Sequence, residues 1–392
     1  MFTLFSHISL AAPSWMIHEH LSQAPHTPGF AQRNPVPGPW DHTLPPFDVF
    51  ATSGSPSPAP PPPIVFSAVL SDYAVLQYGA TTTAVLYGQI NQNITASSKV
   101  LLTFTDLGSG DAYTVAAVVN AVDGSWRAVL HPQSEYGGAY AASAVCTTCD
   151  NTTAAVITDL TYGDVWFCSG QSNMQLSVYH TFGRNWTKAR VMLGDYDNIR
   201  LMLTPTIMMA DADARNTSNP ARYILPAFKS AAGGNYGGYG PHTWLHANVQ
   251  LPDTDRVLQW EDVVDQFSAT CWYTASRITD RLQHLKQKVN DTSAPVPLGL
   301  IESAVGGTTI QSWVVNGTLE KECTRNGTAP PGKGHTKPGD GSLWNGMVLP
   351  FLNMTIKGVL WYQVSFLFTD ARTPSLQLYY HGIIYLFTYL LT

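Results

Sequence analysis

The stretch Gly170-Gln-Ser-Asn-Met174 sets a serine in a short polar turn directly after the apolar run Val165-Trp-Phe-Cys168. A serine on a tight strand-to-helix turn is placed for nucleophilic attack. Glycine lets the chain reverse sharply, and the N–H groups that follow point towards a developing oxyanion. Ser172 is therefore the candidate nucleophile, and Gln171 and Asn173 are candidates for holding the turn or touching a substrate. The same five residues also suit an ordinary helix start with Ser172 as N-cap. A second stretch, Ser303-Ala-Val-Gly-Gly-Thr308, follows another apolar run and offers backbone donors at Gly306 and Gly307. Taken alone it also reads as a plain strand-to-helix turn. A third, Val359-Leu-Trp-Tyr-Gln363, closes a further apolar run. Ligands of open parallel sheets bind beyond the carboxyl ends of the strands, so three such ends belong to one candidate site.

A sheet must position these ends. Ile278, Leu282, Leu285 and Val289 recur at helical spacing and predict an amphipathic helix over 275–289. An apolar strand over 296–301, a helix over 344–352 and a strand over 356–362 follow. Strand and helix in alternation predict a parallel α/β sheet with helices on both faces. Upstream, β-like runs at 64–70, 74–77, 84–90, 100–104, 113–119, 126–130 and 139–145 are separated by turn signals such as Gly108-Ser-Gly110 and Asp123-Gly124. Their short spacing predicts a small β-sandwich over 64–158, ahead of an α/β domain over 159–363. Residues 1–63, rich in Pro, His and Ser, read as disordered, and 204–252 as an irregular surface insertion.

Charged residues make up only 12% of the 392-residue chain, against about 25% in an average soluble domain. Net charge is -6, with no basic block, which argues against nucleic acid and anionic lipid as partners. No apolar run reaches the length of a membrane span, and the apolar tail Leu376–Thr392 is interrupted by Gln377, His381 and several tyrosines. Glycans are an alternative source of solubility. Sequons begin at Asn93, Asn151, Asn185, Asn216, Asn290, Asn316, Asn326 and Asn353, which points to the secretory pathway and a secreted or lysosomal protein. The segment Met1–Pro13 carries a short apolar run, Ile8–Ala12, but neither a basic n-region nor a long h-region. Cys146 and Cys149 form a CxxC without the helix signal of a redox motif, and read as a local disulfide or as two unrelated thiols. Cys168 and Cys271 sit in apolar segments and are expected to be buried. Cys323 falls in a loop, and the odd count leaves a thiol over. His242 and His246 have the spacing of a metal pair, but no third ligand accompanies them, so no metal site is assigned.

Together the three strand-end motifs are far more specific than any one alone. The chain resembles the sialate O-acetylesterases, SGNH-like carbohydrate esterases with a flavodoxin-like α/β/α sheet. The resemblance runs from about Ser67 to Gln363. It includes the segment Ser67–Gln77, the block Gly163–Met174, Phe267-Ser-Ala-Thr-Cys-Trp272, Leu298-Gly-Leu-Ile301, Ala304-Val-Gly-Gly-Thr308, Leu343-Trp-Asn-Gly-Met347 and Lys357-Gly-Val-Leu-Trp-Tyr-Gln363. It implies that Ser172 attacks an acetyl ester on a sugar through an acyl-enzyme without a cofactor. It implies an oxyanion hole built from the N–H of Ser172 and that of Gly306 or Gly307, and a substrate or turn role for Gln171, Asn173 and Gln363.

The match breaks after Gln363. The family continues Gly-Glu-Ser-Asn, whereas here Val364, Ser365, Phe366 and Leu367 follow. The family's general-base histidine lies nearer its C-terminus, but here only His381 lies beyond Gln363, in an unrelated context. His335, in a Gly/Lys/Pro loop, does not match either, so the general base is unassigned. Gln363-Val-Ser365 can be encoded by CAG-GTG-AGT, an exon end followed by a splice-donor consensus. The expectation is that 364–392 is an unmatched, intron-derived tail, that the domain is incomplete, and that its last strand has an open edge. A carbohydrate-binding pseudoenzyme or an inactive product is the alternative to an esterase.

Overall fold

Alternating apolar and polar residues, punctuated by glycine and aspartate turns, fold as antiparallel strands with one dry and one wet face. The computed structural model describes residues 62–67, 69–91, 94–149, 154–204, 264–308, 310–315, 343–363 and 383–387. All fall within the unit Pro60–Thr392. The predicted spans 1–63 and 204–252 lie outside the described residues, apart from Pro62, Pro63 and Thr204.

Eight strands come first: β1 (Ile64–Phe66), β2 (Val75–Gln77), β3 (Val85–Ile90), β4 (Val100–Asp106), β5 (Ala112–Ala116), β6 (Val118–Val119), β7 (Ser125–Val129) and β8 (Gly137–Cys146). β1, β3, β7 and β6 form a four-stranded antiparallel sheet. Trp126 is buried beneath it, with the Phe66 ring edge-on at 5.3 Å. β5, β4 and β8 continue antiparallel into β9 (Ala155–Gly170), a strand of 16 residues. Residue 158, where the sequence pattern changes, falls inside β9. The Cys146–Cys149 pair is bonded at the end of β8.

β9 changes partners halfway along. Its first half pairs with β8 and, at Thr161–Gly163, with β2. From Asp164 it pairs in parallel with β11 (Leu298–Ala304), and from Trp166 with β12 (Gly358–Gln363). Between β2 and β12 the N–H of Val165 would lack a strand partner. The buried Gln77 supplies one: its Oε1 accepts from Val165 N–H at 2.9 Å and its Nε2 donates to the Asp164 carboxylate at 2.9 Å.

β10 (Ile199–Leu203) extends the parallel part beyond β11. On the other side the sheet does not stop at β12. β13 (Ile383–Phe387) lies antiparallel along it, with Val359 opposite Phe387 and Gln363 opposite Ile383. The edge expected to be open thus carries a strand drawn from the segment read as an unmatched tail.

Three helices matter to the site: α1 (Ser172–Gln175), α2 (Arg184–Met192) and α3 (Ala269–Lys288). α3 begins earlier than the 275–289 predicted, because Ser268 caps it: the Ser268 Oγ accepts from Cys271 N–H. The helix predicted over 344–352 is instead a π turn, Trp344–Val348, followed by a 3-10 turn, Leu349–Phe351, with Pro350 at its start. No helix among the described residues is long and apolar enough to cross a membrane.

Candidate active site

Ser172 is the first residue of α1, directly beyond the carboxyl end of β9, and it is exposed. Gln171, not Ser172, is the N-cap, and its side chain makes no capping bond. The N-cap alternative for Ser172 is thereby replaced by a helix-start position. Gly170 makes the turn possible. Its φ is +141°, and a Cβ there would stand 2.1 Å from the Tyr362 carbonyl oxygen of β12. Only a residue without a side chain lets β12 pass so close. Gln171 N–H donates back to that same carbonyl at 3.1 Å.

A second layer fixes the turn from beneath. Ser268 Oγ donates to the Met174 carbonyl, Thr270 Oγ1 donates to the Asn173 carbonyl, and Ala269 N–H donates to the Leu176 carbonyl. Ser268 N–H in turn donates to the Glu302 carboxyl of β11. Glu302 is 2% exposed, and burial pushes its carboxyl up to about 8, the Ser268 N–H pulling more weakly the other way. Cys168 of β9 and Cys271 of α3 are both buried, as expected, and they are bonded to each other. That bond closes a loop of 103 residues, which in the chain-entropy picture contributes about 5 kcal/mol.

The second motif follows β11. Val305 N–H donates to the Gly170 carbonyl at 3.0 Å, which draws the loop against the Ser172 turn. A Cβ on Gly306 would lie 3.4 Å from Ser172 Cβ. Gly306 N–H is already bonded to Gln175 Oε1 at 2.7 Å. Gly307 has φ +74° and is exposed. The third motif holds the loop's far end. The buried Gln363 donates from Nε2 to the Thr308 carbonyl at 3.0 Å and accepts from Trp361 Nε1–H at 3.2 Å. Trp313 Nε1–H donates to Thr308 Oγ1, and its ring packs edge-on to Trp361.

The residues singled out in the sequence therefore converge at the ends of β9, β11 and β12. Gln363 is committed to the loop, and Asn173 is exposed beside Ser172. Ser172 Oγ makes no hydrogen bond among the described residues. His180, the nearest histidine in sequence, is bonded through Nδ1 to Ser177 Oγ at 3.0 Å. His242, His246, His335, His381 and Cys323 lie outside the described residues.

Sequence reasoning missed Gln175, Glu302, Ser268 and the Cys168–Cys271 bond. Gln175 had a signal, since three residues after Ser172 on a helix is the same face. So did Glu302, as a lone acid inside the apolar run 298–304. The disulfide had none.

Fold and site define a mixed α/β protein with a serine at the carboxyl end of a parallel strand and a glycine loop against it. No family model matches the chain. Sialate O-acetylesterases do match: that of Pongo abelii is 29% identical over 257 residues, covering 62% of this chain and 39% of that protein. That of Homo sapiens is 28% identical over 246 residues, with 62% and 39% covered. That of Rattus norvegicus is 26% identical over 330 residues, with 76% and 51% covered. Among solved structures, a carbohydrate acetylesterase from Xanthomonas citri aligns at 20% identity and a TM-score of 0.46, over 77% of this chain and 52% of that one. The chain is thus similar to the sialate O-acetylesterases. It spans 39% to 51% of the length of these curated relatives.

Proposed function

We propose that this protein is a carboxylic-ester hydrolase that removes O-acetyl groups from sialic acids or related sugars. The observation that carries the reading is the contact between the Ser172 turn and the Gly306-Gly307 loop, made by two strand ends far apart in sequence. In this reading Ser172 Oγ attacks the acetyl carbonyl and the sugar hydroxyl leaves. Water then releases acetate from the acetyl-serine. The tetrahedral oxyanion is held by backbone N–H groups of Ser172 and of the glycine loop. No step calls on a cofactor. The sheet β10-β11-β9-β12 is read as the centre of a flavodoxin-like, three-layer SGNH domain over 159–363. The strands over 64–158 are read as a β-sandwich domain that shares β9 with it. The secretory, glycosylated state belongs to the same reading, and the exposure of the sequon residues Asn185, Asn290 and Asn353 supports it.

The test is acetate release from O-acetylated sialic acid by the full chain, beside Ser172→Ala. Release that is lost in the variant supports the reading. A second reading, a sugar-binding pseudoenzyme, is favoured by one observation: Ser172 Oγ has no histidine partner among the described residues. Without a base a serine hydroxyl is a weak nucleophile at neutral pH. Calorimetric binding of the acetylated sugar without acetate release would select it.

A further inference from the structure

We propose that Gln175 is a positioning residue whose amide oxygen occupies the Gly306 N–H, leaving Gly307 N–H as the loop's oxyanion donor. This inference rests on Ser172 being the nucleophile, and it decides between two glycines that the sequence leaves equivalent.

The loop is pinned at every residue but one. Val305 is tied to Gly170, Thr308 to Gln363, and Gly306 to Gln175 at 2.7 Å. Gln175 sits one turn along α1 from Ser172, half-buried, so its reach across to the loop is set by the nucleophile's own helix. The fit is close. A Cβ on Gly306 would meet the Gln175 oxygen at 3.1 Å and Ser172 Cβ at 3.4 Å. Gly306 is thus a spacer that lets loop and turn touch.

Gly307 differs in each respect. A Cβ built on it meets no atom within 4 Å, and its N–H makes no hydrogen bond among the described residues. Its φ of +74° shows that glycine is needed there for backbone direction rather than for space. A donor already engaged at 2.7 Å would have to give up that bond before it served an oxyanion, whereas an unengaged one needs no rearrangement. The division of labour follows. Gln175 and Gly306 set the distance between loop and turn, and Gly307 donates.

Two measurements on the full-length chain test this. Amide hydrogen exchange of 15N-glycine-labelled protein should show Gly306 protected at least about tenfold over Gly307. Gln175→Ala should erase that protection. Gln175→Glu, which keeps an acceptor oxygen, should retain it. With 4-nitrophenyl acetate as probe, Gln175→Ala should lower kcat by about a hundredfold, the scale of a misplaced oxyanion donor, with KM little changed. Gln175→Glu should recover most of kcat. Equal exchange at the two glycines, or a Gln175→Glu variant as slow as Gln175→Ala, overturns the assignment. A wild-type chain that hydrolyses no acetyl ester overturns the esterase reading instead, and the exchange pattern still decides whether the clamp exists.

Discussion

β4 and β11 are both seven residues long, but β4 alternates between buried and solvent-facing residues while all seven residues of β11 are buried. β4 lies between β5 and β8 in the antiparallel part, where one face meets water. β11 lies between β10 and β9 in the parallel part, where both faces are covered. Polarity therefore means different things in the two strands. A polar side chain on β4 can face water or bond a neighbouring turn, as Asp106 Oδ1 does in accepting from Gly108 and Ser109 N–H. On β11 each must find a partner in the protein: Glu302 meets Ser268 N–H, and Ser303 Oγ donates to the Met347 carbonyl at 2.7 Å. Those partners belong to the segments that support the Ser172 turn and the third strand end. In the buried sheet polar groups are thus mostly held in fixed geometry, Ser169 Oγ of β9 being an exception without a partner among the described residues.

The sharpest way to break this comparison is at Gly170, where β9 passes β12. Gly170→Ala should cost about 5 kcal/mol, from strain at positive φ and from overpacking against a backbone oxygen that cannot turn aside. A urea midpoint close to wild type would show that the parallel part yields more than its packing implies.

Glu302 comes next. Its carboxyl is held near 8, above its unfolded value, so the folded state keeps a proton that the unfolded state has already lost. Stability from this group is fully present at low pH and falls as pH rises towards 8, by on the order of 5 kcal/mol in all. Glu302→Gln, which cannot ionise, should flatten that fall in urea titrations between about pH 5 and 8.5. Parallel slopes in wild type and variant would mean that Glu302 is ionised in the fold.

Leu300 of β11 is 1% exposed, and Leu300→Ala should cost about 3 kcal/mol. Leu101 of β4 is 39% exposed, and Leu101→Ala should stay within about 0.5 kcal/mol. Similar midpoint shifts for the two leucines would erase the distinction between the strands.

The same contrast explains what could be read in the residues beforehand. Alternation and turn glycines marked the antiparallel strands to within a few residues. Apolar runs marked the strand ends that carry Ser172 and Gly306, and the sheet joins them. β10 escaped because Arg200 interrupts its apolar run, although the guanidinium turns back to donate to the Tyr73 carbonyl at 2.8 Å. α2 escaped because its sequence is largely polar, with only Thr187 and Val191 buried one turn apart. The start of α3 was read late, since apolar spacing begins at Ile278 whereas Ser268 sets the cap. Gln175 and Glu302 act through contacts with segments more than 30 residues away, which no local pattern encodes.

The long shared strand also has a consequence for synthesis. The second half of β9 needs β11 on one side and β12 on the other, and β12 follows roughly 190 residues later in the chain. At about 5–20 residues per second, the ribosome takes roughly ten to forty seconds to deliver it. For that interval the edge of the strand that β12 will pair stays open, after the antiparallel half has been fully translated. The nascent protein is a half-finished sheet whose growing edge attracts any other strand nearby, so its yield in a cell is set by how well that edge is shielded until β12 arrives.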